Sequence, residues 1–261
     1  MRYHVLATDY DGTLAKDGKV NDLTFEALKL VKESGRKIIL VTGREMKDLE
    51  IVFPEYNIFD LIVAENGALI LNPENHHEIL LGERPPENFI KELKQKKVAR
   101  LSVGKVIVAT WEPYQNIVLQ AIKNAGIEHQ IIFNKGAVMV LPPGVNKAKG
   151  LKEALKHLNI SMHNVVAIGD AENDNAMLQI AECPAAVANA LEMVKEQSAF
   201  VTNADHGEGV TELIKHLIDN DLAAADGKLQ KKYLSIGKTG DETEYAISPY
   251  KDGVLLAGSS G

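Results

Sequence analysis

Short apolar runs alternate with amphipathic stretches along most of the chain. Three runs near the N-terminus have the length and content of buried strands, at residues 4–8, 37–41 and 61–64. After Asn21 or Asp22, either of which can cap a helix, apolar residues recur at helical spacing until Gly35. Strands that alternate with helices in this way predict a parallel sheet with right-handed crossovers.

The same alternation resumes in the second half of the chain. It predicts a strand at 165–168, a helix at 174–181 and a short strand at 185–188. The runs at 4–8, 37–41 and 165–168 each lead into a polar turn that contains glycine. In open α/β sheets, ligands bind outside the carboxyl ends of the strands, so we expect the turns at Asp9, Thr42 and Asp170 to form one pocket.

Residues 82–141 have a different pattern. Two amphipathic helices are predicted at 87–96 and 114–125, between strand-like runs at 101–110, 129–133 and 137–141. This order is typical of a small α+β module inserted into a larger domain. We therefore predict a main domain of residues 1–81 and 142–220, and a cap of residues 82–141 that moves as a lid. Trp111 is interpreted as a packing residue inside the cap in preference to the alternative, an aromatic residue of the cap that contacts substrate.

Composition and charge narrow the class of protein. The chain has 261 residues, of which 45% are hydrophobic and 25% charged, as in ordinary globular proteins. Cys183 is the single cysteine, and neither a signal peptide pattern nor a run of about 18 apolar residues occurs, so we expect a cytoplasmic protein outside the membrane. The net charge of −7 argues against a broad nucleic-acid surface and favours a small-molecule ligand.

Two carboxylates follow the first predicted strand. Asp9 and Asp11 are two residues apart and point the same way if the strand stays extended, while Gly12 permits a sharp turn. One carboxylate can attack phosphorus, and the other can protonate the leaving oxygen and later activate water. Taken alone, these residues also fit a surface turn or a calcium loop, but residues 15–17 do not supply the further ligands of an EF-hand.

Four motifs, in order, resemble those of the haloacid dehalogenase superfamily. They are Asp9-Tyr-Asp11-Gly-Thr13-Leu, Thr42-Gly43-Arg44, Lys147, and Gly169-Asp170-Ala-Glu-Asn173-Asp174. The resemblance extends from residue 1 to about residue 218, and the motif at 169–177 is similar to that of the branch with C2-type caps, which includes Cof-like and sucrose-phosphatase-like enzymes. It implies an α/β fold with a Rossmann-like parallel sheet core and a small inserted α+β cap.

The resemblance also implies roles for the carboxylates. Asp9 looks like the nucleophile and a metal ligand, Asp11 like the acid/base with its backbone carbonyl on the metal, and Asp170 like the remaining protein carboxylate on Mg²⁺. For Asp174 three roles stay open: binding the metal through water, holding Lys147, or capping a helix.

Phosphoryl transfer also requires donors around the phosphate oxygens. We expect Thr42 to offer its hydroxyl, Gly43 its backbone N–H and Lys147 its ammonium, with Asn173 touching phosphate or substrate. Asn66 is expected to support the loop in which it lies.

The resulting expectation is a Mg²⁺-dependent phosphatase that acts on a small phosphorylated metabolite through an aspartyl-phosphate. A cap of about sixty residues is small for its type, which favours a phosphosugar or a phosphoglycolate-like acid. Asp11 disfavours a dehalogenase. Two alternative functions stay open: a phosphomutase, and a non-catalytic sensor that binds phosphate esters and is fused to an ATPase.

The last forty residues have a pattern of their own. Residues 221–261 read as a linker followed by strand-like runs at 232–236, 244–248 and 253–257, the last leading into Gly-Ser-Ser-Gly. Our hypothesis is that they begin a truncated P-loop ATPase domain, because the pattern resembles the entry to DNA-translocase and HerA-like ATPases. The alternative is a flexible Gly-Ser end.

Overall fold

A computed structural model of the protein describes residues 1–134 and 136–225, and the backbone of residues 234–238 and 244–247. The strands are β1 Val5–Thr8, β2 Lys37–Val41, β3 Leu61–Ala64, β4 Leu69–Asn72, β5 His77–Leu80, β6 Ser102–Val103, β7 Val108–Trp111, β8 Gln130–Asn134, β9 Ala137–Leu141, β10 Val165–Gly169, β11 Cys183–Ala186, β12 Phe200–Val201, β13 Leu234–Lys238 and β14 Glu244–Ile247.

Helices connect most of these strands. They are α1 Asp22–Glu33, α2 Met46–Val52, α3 Glu87–Gln95, α4 Gln115–Ala125, α5 Lys147–Leu158, α6 Asn175–Ile180, α7 Glu192–Glu196 and α8 His206–Asn220. The predicted cap of α1 is confirmed, because the Asn21 side chain accepts the N–H of Thr24 at 2.8 Å. Within the described residues, no helix has both the length and the apolar content needed to span a bilayer.

Eight strands form the main sheet, in the order β12-β11-β10-β1-β2-β3-β4-β5. The strands from β12 to β3 are parallel, which confirms the predicted parallel sheet. Thr8, the last residue of β1, pairs with Ile168 of β10 and Leu40 of β2, so the carboxyl ends of these three strands are level. All four residues of β1 are buried, as a central strand with helices on both faces requires.

The structure also differs from the predicted pattern. β4 and β5 were not predicted; they extend the sheet in antiparallel fashion beyond β3. The run at 101–110 was predicted as one strand, but it forms a hairpin of β6 and β7 with a turn at residues 104–107. The turn forms there because Gly104 and Lys105 interrupt the apolar sequence.

A second, antiparallel sheet has the order β6-β7-β9-β8 and packs with α3 and α4; we call these elements the cap. The cap has its own apolar core, which includes Phe89, Leu93, Val118 and Val138. The α/β class with a parallel core and a smaller α+β module is therefore confirmed. The domain limits given above stay predictions.

Cap and main sheet meet at a third apolar cluster, formed by Ala68, Val106, Ile107, Met139, Leu141 and Val145. Beside it, Gly67 has φ +100°, and a Cβ at this position would lie 2.0 Å from the carbonyl oxygen of Asn146. Only glycine fits this close approach. It brings the turn after β3 against Asn146, the N-cap residue of α5.

β13 and β14 form an antiparallel pair, so the runs predicted at 232–236 and 244–248 are strands, the first displaced by two residues. The run predicted at 253–257 and the glycine-rich end lie outside the described residues. The start of an ATPase domain stays a hypothesis.

Candidate active site

The turns after β1, β2 and β10 lie side by side, as the order of the strands requires. Asp9 follows β1, and its backbone N–H donates to the carbonyl of Ile168 at 3.1 Å. Asp170 follows β10, and its Oδ1 accepts the hydroxyl of Thr13 at 3.1 Å. Both carboxylates are buried. The convergence predicted for the strand ends is thus present.

Lys147 is the cation at the centre of the site. It is the first residue of α5 and is 1% exposed. Its Nζ lies 2.5 Å from Oδ1 of Asp9 and 2.6 Å from Oδ1 of Asp174. The other oxygen of Asp174 accepts the backbone N–H groups of Asp170 and Ala171, each at 3.0 Å. Of the roles left open for Asp174, contact with Lys147 is therefore observed.

The site carries an excess of negative charge. Burial, with the charges of Asp174 and Asp170, raises the pKa of Asp9 to about 8 against the opposing effect of Lys147. Burial lowers the pKa of Lys147, but Asp174 and Asp9 outweigh it and raise that pKa above its usual range. The raised pKa of Asp9 favours a neutral carboxyl, whereas the raised pKa of Lys147 favours a charged ammonium, and the two groups form one pair. The short contacts favour a charged lysine, whose single ammonium is shared by the carboxylates of Asp9 and Asp174.

Asp9, Asp170 and Asp174 form a group that we call the carboxylate cluster. Their oxygens lie within 4.8 Å of one another. Oxygen ligands with surplus negative charge suit a hard divalent cation such as Mg²⁺. The donor set therefore fits the expected metal. The side chain of Asp11 is not a member of this cluster.

The Asp11 side chain instead binds Arg44. Nε and Nη2 of Arg44 donate to the two oxygens of Asp11 at 2.7 and 2.6 Å, and Nη1 contacts Asp48. Burial lowers the pKa of Arg44, but the hydrogen bond and charge of Asp11 outweigh burial and raise this pKa above its usual value. The guanidinium therefore stays charged. The sequence motif contained Arg44, but no role was predicted for it. Asp11 still lines the same cavity as Asp9.

The turn after β3 supports the turn after β2. The backbone N–H of Asn66 donates to the carbonyl of Thr42 at 3.0 Å, as expected for a supporting residue. The Oδ1 of Asn66 lies 3.4 Å from Nδ2 of Asn173, so it also reaches the turn after β10. Gly43 and Asn173 line the cavity, whereas the Thr42 hydroxyl accepts the N–H of Arg44 at 3.1 Å.

Glu65 joins this turn to the cap. Its buried carboxylate accepts the backbone N–H groups of Lys105, Val106 and Ile107 at 2.8, 2.8 and 3.0 Å. We call this the Glu65–hairpin contact. A Cβ at Gly104 would lie 2.7 Å from the Glu65 carboxylate, so glycine is required for the close approach. Nothing in the sequence indicated this role, because the partners are about forty residues apart and are backbone groups.

A cavity of about 610 Å³ lies between the carboxylate cluster and the cap. On the main-domain side it is lined by Asp9, Asp11, Gly43, Glu45 and Asn173, among others. On the cap side it is lined by Arg100, Ser102, Trp111 and Met139, among others. Trp111 is 43% exposed and faces this cavity, so its assignment to packing inside the cap was wrong.

Known proteins resemble this chain over most of its length. A family profile described as haloacid dehalogenase-like hydrolase matches residues 6–103 and 86–214. Phosphoglycolate phosphatase 2 of Saccharolobus solfataricus is 32% identical over 227 residues, which cover 84% of this chain and 94% of that protein. The phosphoglycolate phosphatase of Methanothermobacter thermautotrophicus is 30% identical over 223 residues, which cover 82% and 98%.

The fold is also found among solved structures. A sugar phosphatase of haloacid dehalogenase subclass IIB aligns with a TM-score of 0.64 and 22% identity, over 82% of this chain and 98% of its own. This likeness over most of both chains shows that the two proteins share a fold. The chain therefore belongs to the haloacid dehalogenase-like hydrolase family, as a phosphoric monoester hydrolase with the capped fold of the subclass IIB phosphatases.

Proposed function

We propose that this protein is a Mg²⁺-dependent phosphatase that forms an aspartyl-phosphate at Asp9 and acts on a small phosphorylated acid, with phosphoglycolate the preferred candidate. The observation that carries the proposal is the position of Asp9. Its buried carboxylate lies at the base of the cavity, 2.5 Å from Lys147 and within the carboxylate cluster. The two archaeal relatives named for phosphoglycolate support the choice of substrate.

In the proposed reaction an oxygen of Asp9 attacks phosphorus, and the bond from phosphorus to the leaving oxygen breaks. Asp11 leaves Arg44, takes up a proton from solvent and gives that proton to the leaving oxygen. Water then attacks the aspartyl-phosphate, Asp11 takes a proton from that water, and phosphate leaves. Mg²⁺ held by Asp9 and Asp170 would offset the charge of the phosphate oxygens, to which Lys147 and the N–H of Gly43 also contribute.

The test is release of inorganic phosphate from p-nitrophenyl phosphate and from phosphoglycolate, with Mg²⁺ and after exhaustive chelation. We expect turnover only with the metal. Asp9→Asn should remain folded and lose turnover, because an amide of nearly the same shape is not a nucleophile. Beryllium fluoride, which mimics the phosphoryl group, should bind to the wild type and not to this variant.

Appreciable turnover by Asp9→Asn would exclude the covalent mechanism, and full activity after chelation would exclude the metal. Movement of phosphate within a substrate, without release of inorganic phosphate, would identify a phosphomutase instead. Absence of turnover on every ester tested would favour a phosphoester sensor.

A further inference from the structure

The cap side of the cavity carries one charged side chain among the described residues that line it. That side chain is Arg100; the other lining residues from the cap are uncharged. The main-domain side holds the carboxylate cluster and Lys147, which occupy the phosphoryl end of the proposed reaction. The cap therefore presents a positive charge to the part of the cavity that the leaving group would occupy.

Arg100 is available to a ligand. It forms no ion pair with any residue that the structure describes, whereas Arg44, the other cation on the cavity wall, is bound by Asp11 and Asp48. The nearby Glu45 accepts a hydrogen bond from Ser102 at 2.5 Å. Each charged group on the wall other than Arg100 thus has a described partner.

The backbone and side chain of Arg100 are also held in position. The preceding carbonyl, of Ala99, accepts the buried hydroxyl of Thr110 at 2.8 Å. Arg100 has φ +50°, a left-handed conformation that costs free energy for a residue with a Cβ and that clusters at functional sites. Its guanidinium lies 5.7 Å from the centre of the Trp111 ring, which lines the same cavity.

We propose that Arg100 binds an anionic group on the leaving group, so that the preferred substrates are phosphate esters whose leaving group carries a carboxylate. The inference rests on the proposed function and assigns to one residue of the cap the selection of its acidic substrates. A guanidinium offers a carboxylate two parallel N–H donors, which gives both geometry and charge. Phosphosugars, the other class expected from the sequence, present hydroxyl groups and would gain much less from this residue.

The experiment compares two esters that differ at one end. Phosphoglycolate carries a carboxylate where 2-hydroxyethyl phosphate carries a hydroxymethyl group. In Arg100→Gln, we expect kcat/KM for phosphoglycolate to fall about 10- to 100-fold, mainly through KM, and that for 2-hydroxyethyl phosphate to change less than about threefold. Arg100→Lys should retain part of the preference, because it keeps the charge and loses the paired donors.

The matched control is Arg84→Gln. Arg84 is exposed and does not line the cavity, so this variant removes the same charge and should keep the wild-type ratio of the two substrates. Both esters are assayed on one preparation of each variant. Loss of folded protein then lowers both rates equally and leaves their ratio unchanged.

An equal loss on both esters, or no loss on either, would overturn the role of Arg100. A third substrate separates this failure from that of the proposed function. If the wild type hydrolyses p-nitrophenyl phosphate with Mg²⁺ but does not prefer phosphoglycolate, the inference and the choice of an acidic substrate fail, and the proposal of a Mg²⁺-dependent phosphatase with Asp9 as nucleophile stands. If it hydrolyses none of the three, both fail.

Discussion

Asp174 divides its two carboxylate oxygens between two tasks. One oxygen binds the ammonium of Lys147, and the other accepts two backbone N–H groups of the turn that carries Asp170. The residue is fully buried, so water cannot replace either set of contacts. An asparagine at this position has a single acceptor oxygen, and its NH₂ group would face either the ammonium or the backbone donors.

We therefore predict that Asp174→Asn lowers kcat/KM about 10- to 100-fold and raises the Mg²⁺ concentration that gives half of the maximal rate. The measurement is a Mg²⁺ titration with p-nitrophenyl phosphate. Asp219→Asn is the control, because Asp219 is exposed on α8 and forms no ion pair with the described residues. Unchanged Mg²⁺ dependence in Asp174→Asn would show that Asp174 does not position the metal ligands.

At the scale of single residues, the sequence predicted the positions of those site residues that directly follow strands. Asp9, Thr42 and Asp170 were placed together because parallel strands end at one edge of a sheet. The pairing of Asp11 with Arg44 was not predicted, because the two residues are 33 positions apart in different turns. The paths of those turns depend on contacts across the fold, which no local pattern records.

Among the secondary-structure elements, the β6–β7 hairpin has an unusual attachment. Its turn is held by the Glu65–hairpin contact, in which one buried carboxylate accepts three N–H groups. Glu65, which supplies the carboxylate of this contact, lies directly after β3, next to Asn66 and the turn of Thr42. The position of the cap over the cavity is therefore coupled to the turn after β2.

Glu65→Gln tests this coupling. The amide keeps the shape of the side chain, but its NH₂ group meets backbone donors, so we expect the free energy of unfolding to fall by about 2–3 kcal/mol. Hydrogen exchange at the amides of Lys105, Val106 and Ile107 should become faster, and kcat/KM should fall.

The control for this variant is Glu78→Gln. Glu78 contacts the side chain of Lys105 at the surface, so its removal should leave exchange in the hairpin nearly unchanged. Equal exchange rates in wild type and Glu65→Gln would contradict a role for Glu65 in holding the cap. The predicted lid motion of the cap stays a prediction, which the same exchange measurement with and without substrate can examine.

Two strands that the sequence did not predict lie at one end of the sheet. β5 is largely exposed and gives no buried pattern, whereas β4 has a short buried apolar run at residues 69–71, which follows β3 after a turn of four residues. Their pairing depends on the sharp turn at residues 65–67, where Glu65 and Asn66 have positive φ. By contrast, α1 was predicted from Asn21 and Gly35, because caps and stops are local signals.

On the scale of the whole molecule, the residue that follows α8 is tied to the beginning of the chain. Asp221, which follows α8, accepts the backbone N–H of Arg2 at 2.8 Å and the guanidinium of Arg36 at 2.7 Å. Arg36 is buried and also donates to the carbonyls of Tyr3 and Leu217. These contacts join β1, β2 and the last helix at one edge of the fold.

We predict that Asp221→Asn lowers the free energy of unfolding by about 1–2 kcal/mol at pH 7. Burial raises the pKa of Asp221, but Arg2 and Arg36 outweigh it, so the pKa lies below its ordinary value. A carboxyl with a lowered folded pKa contributes stability above its unfolded pKa of about 3.9, and loses it as the pH falls through the folded value.

The difference between wild type and Asp221→Asn should therefore be constant from neutral pH down to about pH 5 and shrink below about pH 4. Denaturant unfolding at several pH values measures it, with Asp219→Asn as control. A difference that does not depend on pH would show that the ion pair is not its source.

The fold class of the whole molecule was predictable, because the alternation of strands and helices is a repeated signal along the chain. The cap was predictable as a change in that pattern. Its surface towards the cavity was not, because Trp111 lies on a strand with one face towards the cap interior and the other towards the cavity. When both faces of a strand contact apolar groups, the sequence alone does not show which face is turned towards the cap interior and which towards the cavity.

The donors of the Glu65–hairpin contact belong to the backbone, and this has a consequence for how such a protein can change. Substitutions on the cap, including those at Arg100 and Trp111, alter what the cavity recognises without removing a single hydrogen bond of that contact. Selectivity can thus diverge between descendants of one ancestor while the attachment of the cap to the main sheet is inherited intact. A library that varies the cap side of the cavity, with Gly104 and Glu65 kept, is the corresponding route for changing the substrate in the laboratory.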